Sequence, residues 1–169
     1  MKNIILIGFM GVGKGTVARA LAAAEGNLYA IDTDDMIESL ENRKIKDIFM
    51  TDGEKSFREL EKKTAKWLEK SVKNAIISTG GGFYKVKNLK KIGKVILLDA
   101  SFSYIHQQIL AHPNAKRKLE KRPLFQDIKK AKTLYSERIP LYKEVADTVI
   151  SIENKSPKEI AKEILKTLS

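Results

Sequence analysis

Apolar residues along this chain fall in short, unbroken runs rather than in long alternating ones. Residues 3–7, Asn-Ile-Ile-Leu-Ile, form the first such run. It is too uniformly apolar for a strand with one wet face, and it reads as a strand buried on both sides of a parallel sheet. Residues 14–25 are rich in Ala and Leu with Gly26 just beyond, a helix with a left-handed end. A second strand is predicted over 28–31, and Thr33 is placed to cap a helix running to about residue 42. Residues 45–50 read as a short amphipathic helix and 54–72 as a longer one. Further strands are predicted at 75–78, 95–98 and 148–152, with helices over 86–91 and from Ser101 or Ser103 to near 111. Residues 112–125, between Pro113 and Pro123, read as a basic, helix-poor stretch followed by another helix. Ser156-Pro157 opens the last helix, a cap followed by proline at the first helical position. Strand and helix alternate throughout, which predicts an α/β fold: a parallel sheet with helices on both faces.

Composition narrows what such a fold does. The chain has 169 residues, so a single domain over 1–169 is expected. It has no Cys and two His, which excludes thiolate chemistry, zinc fingers and a His-rich metal site. No run approaches the roughly 18 apolar residues of a membrane span. Lys2 and the run at 4–7 imitate a short signal peptide, but Lys14 follows where small residues and a cleavage site would stand. A cytoplasmic location and no membrane partner are expected. The net charge of +11 points to anionic partners, and its distribution is uneven. Residues 32–61 hold ten acids against five bases, whereas residues 113–145 hold ten bases against four acids. Aromatic residues make up only 7%, which argues against a nucleic-acid stacking surface.

The strongest chemical signal is Gly8-Phe9-Met10-Gly11-Val12-Gly13-Lys14-Gly15-Thr16, directly after a strand and before a helix. Phosphate binding needs inward-facing amides, a helix N-terminus and a Lys that reaches the terminal phosphates, and all three are supplied here. Gly11, Val12, Gly13, Lys14, Gly15 and Thr16 are therefore the candidate ATP-phosphate residues. One feature departs from the usual pattern. Gly15 stands where Ser or Thr ordinarily coordinates Mg²⁺, and the hydroxyl comes one residue later at Thr16. Neither an Asn/Thr-Lys-x-Asp nor an Asp-x-x-Gly motif occurs, so a GTPase is disfavoured and a kinase with a small acceptor is favoured.

Asp32-Thr33-Asp34 follows the second strand, where parallel sheets present ligand-facing residues. Phosphoryl transfer to a hydroxyl wants one carboxylate on the metal and another on the acceptor. No acid ends the third strand, so Asp32, together with Thr16, is the candidate for Mg²⁺ and Asp34 for the acceptor. Helix capping is the alternative role for one of them. Gly80-Gly81-Gly82 lets a ligand approach the main chain, with its amides offered to an anion. Arg58, in Gly-Glu-Lys-Ser-Phe-Arg, and Arg138, in Arg-Ile-Pro-Leu-Tyr, have the planar fork suited to a carboxylate. Arg122-Pro123-Leu124 lies in the basic stretch and is placed to cover the phosphates.

In this order and spacing the motifs resemble shikimate kinase over nearly the whole chain. The residues that carry the resemblance are the Gly-Phe-Met-Gly loop, Asp32-x-Asp34, Gly53-Glu54 with Phe57-Arg58 and Glu61, and Thr79 with the three glycines. Arg122-Pro123-Leu124 and Arg138-x-Pro140-Leu141-Tyr142 with Ala146-Asp147 complete it. The resemblance implies a five-stranded parallel sheet in the order 2-3-1-4-5, a monomer, and a closing lid at about 112–125. It implies an acceptor-binding region at about 32–61 and an ATP- and Mg²⁺-dependent transfer to the 3-hydroxyl of shikimate, in aromatic amino-acid biosynthesis. Lys14 and Arg122 would then stabilise the transferring phosphoryl group, and Asp34 would hold the reacting hydroxyl. Arg58, Arg138 and the backbone of Gly80, Gly81 and Gly82 would bind the remainder of shikimate. The competing readings are another small-acceptor kinase, for gluconate or a nucleoside monophosphate, and a basic ATP-using RNA binder.

Overall fold

The computed structural model describes residues 2–120 and 123–168. Its centre is a five-stranded sheet with every pairing parallel: β1 (Asn3–Ile7), β2 (Tyr29–Asp32), β3 (Ala75–Ser78), β4 (Gly93–Asp99) and β5 (Thr148–Ser151), in the order β2-β3-β1-β4-β5. Strands β1 and β3 are buried at every position, which is why each reads as continuous apolar sequence with no alternation. The polar residues in them are Asn3 and Ser78, and Asn3 is fully satisfied. Its amide donates to Val72 O and Ile92 O and its carbonyl oxygen accepts from Ala75 N–H, tying the start of β1 to both neighbouring crossovers.

The helices are α1 (Lys14–Glu25), α2 (Thr33–Glu41), α3 (Ile45–Ser71), α4 (Leu89–Ile92), α5 (Phe102–Ala111), α6 (Ala115–Glu120), α7 (Ile128–Val145) and α8 (Pro157–Lys166). Helix α1 packs on α8 and on β2 and β3, α3 on α2 and α4, and α7 on β4. The expected pair of helices at 45–50 and 54–72 is present as α3, broken at Gly53, whose φ of 80° and ψ of 171° interrupt the helix. Ser156 and Glu159 close the predicted N-terminal cap of α8 reciprocally, and Ser101, rather than Ser103, caps α5.

Three expectations give way. The cap of α2 is Asp32, not Thr33: Asp32 Oδ1 accepts from the amides of Asp34 and Asp35 at 2.9 and 3.2 Å. The helix expected over 86–91 is a 3₁₀ turn at Phe83–Lys85 followed by the single turn of α4. The stretch 112–125 is not helix-poor, since it contains α6 and enters a second 3₁₀ turn, Pro123–Gln126. Phe125 anchors the far end of that stretch. Its ring stands edge-on to Phe9 of the Gly-rich loop at 6.1 Å and stacks on Phe102 at 6.0 Å.

The order β2-β3-β1-β4-β5 reverses direction at β1, and such switch points are where parallel sheets bind ligands. The register brings Asp32, Ser78 and Leu6 level across β2, β3 and β1. The segments that leave these three strands therefore meet above one end of the sheet.

Candidate active site

The loop from β1 to α1 is shaped by glycines with positive φ: Gly8 at 148°, Gly11 at 84° and Gly13 at 93°. Gly13 is the N-cap of α1 and brings no side chain to the cap, and a Cβ there would meet nothing within 4 Å. Gly15 and Thr16 follow in the first turn of α1, whose amides have no acceptor one turn earlier in the helix and mark its positive end. Val12 does not join them, because its N–H closes a turn on Phe9 O at 3.3 Å. The Lys14 ammonium folds across the loop and donates to Gly8 O at 2.7 Å and Phe9 O at 3.1 Å. An anion such as phosphate is favoured at such a helix start by charge and by the amides offered there.

The acceptor side is built on Gly80-Gly81-Gly82, beyond β3. None of the three has positive φ, so the backbone does not demand glycine; space does. A Cβ at Gly80 would stand 2.6 Å from Asp34 Oδ1, at Gly81 3.1 Å from an Arg138 guanidinium nitrogen, and at Gly82 2.6 Å from Arg58 Cζ. The strip is thus the floor on which Asp34, Arg138 and Arg58 gather. Sequence reasoning offered its amides to an anion, and for Gly80 this is corrected: its N–H donates to Thr33 Oγ1 at 3.1 Å. Tyr142 pins the strip from α7 by donating to Gly81 O at 2.6 Å.

Asp34 is half-buried, and its carboxyl Oδ1 is buried with no hydrogen-bond partner among the described residues. Burial, with Asp32 and Glu61 nearby and only partly offset by Lys14, pushes its pKa up to about 7. A group so placed accepts a proton near neutral pH, as a phosphoryl acceptor's hydroxyl requires. Arg58 donates to Glu61 at 2.6 Å and, from Nε and a terminal nitrogen, to Glu54 at 3.3 and 3.1 Å. Glu61 is itself buried, with Oε1 unpartnered among the described residues, and burial raises its pKa against the pull of Arg58 and Arg138. Glu61 carries no role in the sequence motif, and in the structure it aims Arg58 over the glycine strip. Thr33 and Tyr142 also act on the strip, and only their distant chain partners reveal it.

The oxygen donors available to a hard cation are Asp32, Thr16 and Ser78, a set that suits Mg²⁺. Of the two readings offered for Asp32, the structure shows the helix cap. Asp32 caps α2 through Oδ1 while Oδ2 accepts from Ser78 Oγ at 2.8 Å. Thr16 is exposed and its Oγ1 accepts from Arg19 at 3.4 Å. Gly15 lies beside Ser78, and Arg122 lies outside the described residues.

A family model for shikimate kinase matches residues 10–169. The chain is a member of the shikimate kinase family. The shikimate kinase of Helicobacter hepaticus is 40% identical over 168 residues, covering 99% of this chain and 96% of that one. That of a Sulfurihydrogenibium species is 39% identical over 170 residues, covering 98% and 96%. The solved structure of Acinetobacter baumannii shikimate kinase in complex with shikimate superposes with a TM-score of 0.86 at 32% identity, over 99% of this chain and 93% of that one. Aquifex aeolicus shikimate kinase gives a TM-score of 0.76 at 34% identity, over 98% and 95%. As in a shikimate kinase, ATP and Mg²⁺ are the cofactors to be held. No described helix is long and apolar enough to cross a membrane.

Proposed function

We propose that this chain transfers the terminal phosphoryl group of ATP to the 3-hydroxyl of shikimate, giving shikimate 3-phosphate and ADP. Family membership supports the reaction class. The observation that carries the acceptor is the convergence of one carboxyl and two guanidinium groups on Gly80–Gly82, beside the phosphate loop. Arg58 and Arg138 offer forked donors to the acid's carboxylate, and Asp34 offers an acceptor to a hydroxyl. A nucleoside monophosphate would need a surface for its base, whereas gluconate, like shikimate an acid with several hydroxyls, is told apart by the assay below. The RNA-binding reading rests on charge alone.

Each residue has a role in that transfer. The amides at the start of α1, Gly11 and Gly13 cradle the phosphates, and Lys14 swings from its loop carbonyls to the group being transferred. Mg²⁺, when bound, neutralises charge on the phosphate oxygens. Asp32 and Thr16 would hold that cation. Asp34 orients the acceptor hydroxyl and takes its proton late in the transfer, since a loose transition state asks little of a base. Arg122, on the 112–125 lid, adds positive charge over the phosphates as the lid closes. The chain works as one monomeric kinase domain in the cytoplasm, in the biosynthesis of aromatic amino acids.

The test is ADP release with ATP, Mg²⁺ and one acceptor at a time. Shikimate should raise the rate far above water, while gluconate, nucleoside monophosphates and RNA should not. Equal rates with and without shikimate would end this reading.

A further inference from the structure

Position 15 departs from the usual phosphate loop, and its surroundings are specific. Gly15 sits within α1 without positive φ, and a Cβ would meet only an Arg19 guanidinium nitrogen at 3.5 Å and Ser78 Oγ at 3.9 Å. Both are ordinary contact distances, so neither backbone nor packing requires glycine. The space that a Ser or Thr side chain would use is bordered instead by another hydroxyl.

That hydroxyl is held. Ser78 ends β3 in register with Asp32 on β2 and Leu6 on β1, and it is only 3% exposed. Its Oγ donates to Asp32 Oδ2 at 2.8 Å, and Asp32 is fixed in turn by the amides of Asp34 and Asp35 on Oδ1. A hydroxyl has one proton and two lone pairs. With the proton committed to Asp32, the lone pairs remain, and no donor among the described residues is bonded to them. We propose that Ser78, oriented by Asp32, supplies toward the nucleotide's Mg²⁺ the hydroxyl oxygen that position 15 lacks. The proposal rests on the kinase reading above. Thr16 is the competing hydroxyl, but it is exposed, and its oxygen already accepts from the Arg19 guanidinium, whereas Ser78 is buried and held by a carboxylate. The Ser78–Asp32 pair brings negative charge instead, and Mg²⁺ favours a carboxylate and neutral oxygens alongside phosphate.

Mn²⁺ in place of Mg²⁺ makes the test direct, because electron paramagnetic resonance counts the free ion. Mn²⁺ is titrated into the full chain with saturating ADP. Ser78→Ala should lower the Mn²⁺ affinity of the enzyme–ADP complex by about 10- to 100-fold, the usual loss when a supporting group is removed from a metal site. Metal-free ADP affinity should be unchanged. Gly15→Ser, which returns the loop hydroxyl, should cancel the effect, so that the double variant binds Mn²⁺ as tightly as Gly15→Ser alone. Ser78→Cys keeps the size of the side chain and should shift preference from Mn²⁺ toward Cd²⁺, a softer ion; it serves if Ser78→Ala does not fold. Unchanged Mn²⁺ affinity in a folded Ser78→Ala overturns the proposal, as does a loss that Gly15→Ser fails to rescue. If the unaltered enzyme with ADP retains no Mn²⁺ at all, the nucleotide-site reading falls and this proposal with it.

Discussion

Asp34 is where burial and chemistry conflict most openly. Its ordinary pKa of 3.8 is raised to about 7 by burial and by Asp32 and Glu61. Between those two values the unfolded chain gives up the proton while the folded chain keeps it. The folded state then binds more protons, so stability falls as pH rises through this window. Asp34→Asn removes the penalty and should raise the melting temperature at pH 8, with little gain at pH 4. The same variant should lose turnover, by about 10²-fold if orientation dominates over proton transfer. A melting-temperature difference that does not depend on pH would show Asp34 ionising as an ordinary surface carboxylate. Arg58→Ala and Arg138→Ala should each weaken shikimate affinity by about 10- to 150-fold, corresponding to about 1.5–3 kcal/mol for a charge-assisted bond. ADP affinity should hold in both. Lys at either position should recover only part of the loss, because it lacks the fork. Calorimetry with shikimate and with ADP separates the two effects.

At the scale of elements, the glycine strip after β3 works by leaving room. A methyl group at Gly82 would collide with the Arg58 guanidinium, the far end of a flexible side chain that can move away. Gly82→Ala should therefore fold with nearly unchanged stability but bind shikimate more weakly, much as Arg58→Ala does. A large drop in melting temperature with intact shikimate affinity would contradict this. Much of this element was legible beforehand: three glycines after a buried strand signal a close approach. What approaches them came only with the family resemblance, because Asp34, Arg58 and Arg138 arrive from three different helices. The α2 cap was misplaced by one residue, since Asp32 and Thr33 are both good caps and only Asp32 is also held by Ser78, 46 residues away. Helix α6 was missed because Pro113 and a run of bases suggested a loop, and six residues carry little periodicity.

For the whole molecule, alternation of strand and helix was enough to predict a parallel α/β sheet, but not its strand order, which came with the family resemblance. The pairing of Thr33 with Gly80 follows from β2 lying beside β3, whereas Tyr142 reaches Gly81 from α7, which strand order alone does not place. The overall charge of +11 acts at this scale too. Both expected substrates are anions, so long-range attraction should speed their capture and weaken as salt screens it. Raising ionic strength should lower kcat/KM for ATP while leaving kcat nearly unchanged. A kcat/KM indifferent to salt would confine electrostatics to the loop itself.

The central claim is that Asp34, Arg58 and Arg138 present one hydroxyl of shikimate to the phosphate loop. Its most direct test is phosphorus and proton nuclear magnetic resonance of shikimate incubated with ATP, Mg²⁺ and the enzyme. The account predicts a single new phosphomonoester, coupled to the proton on carbon 3, growing in step with ADP. Phosphate on another hydroxyl, or ADP released with inorganic phosphate and unchanged shikimate, would contradict it.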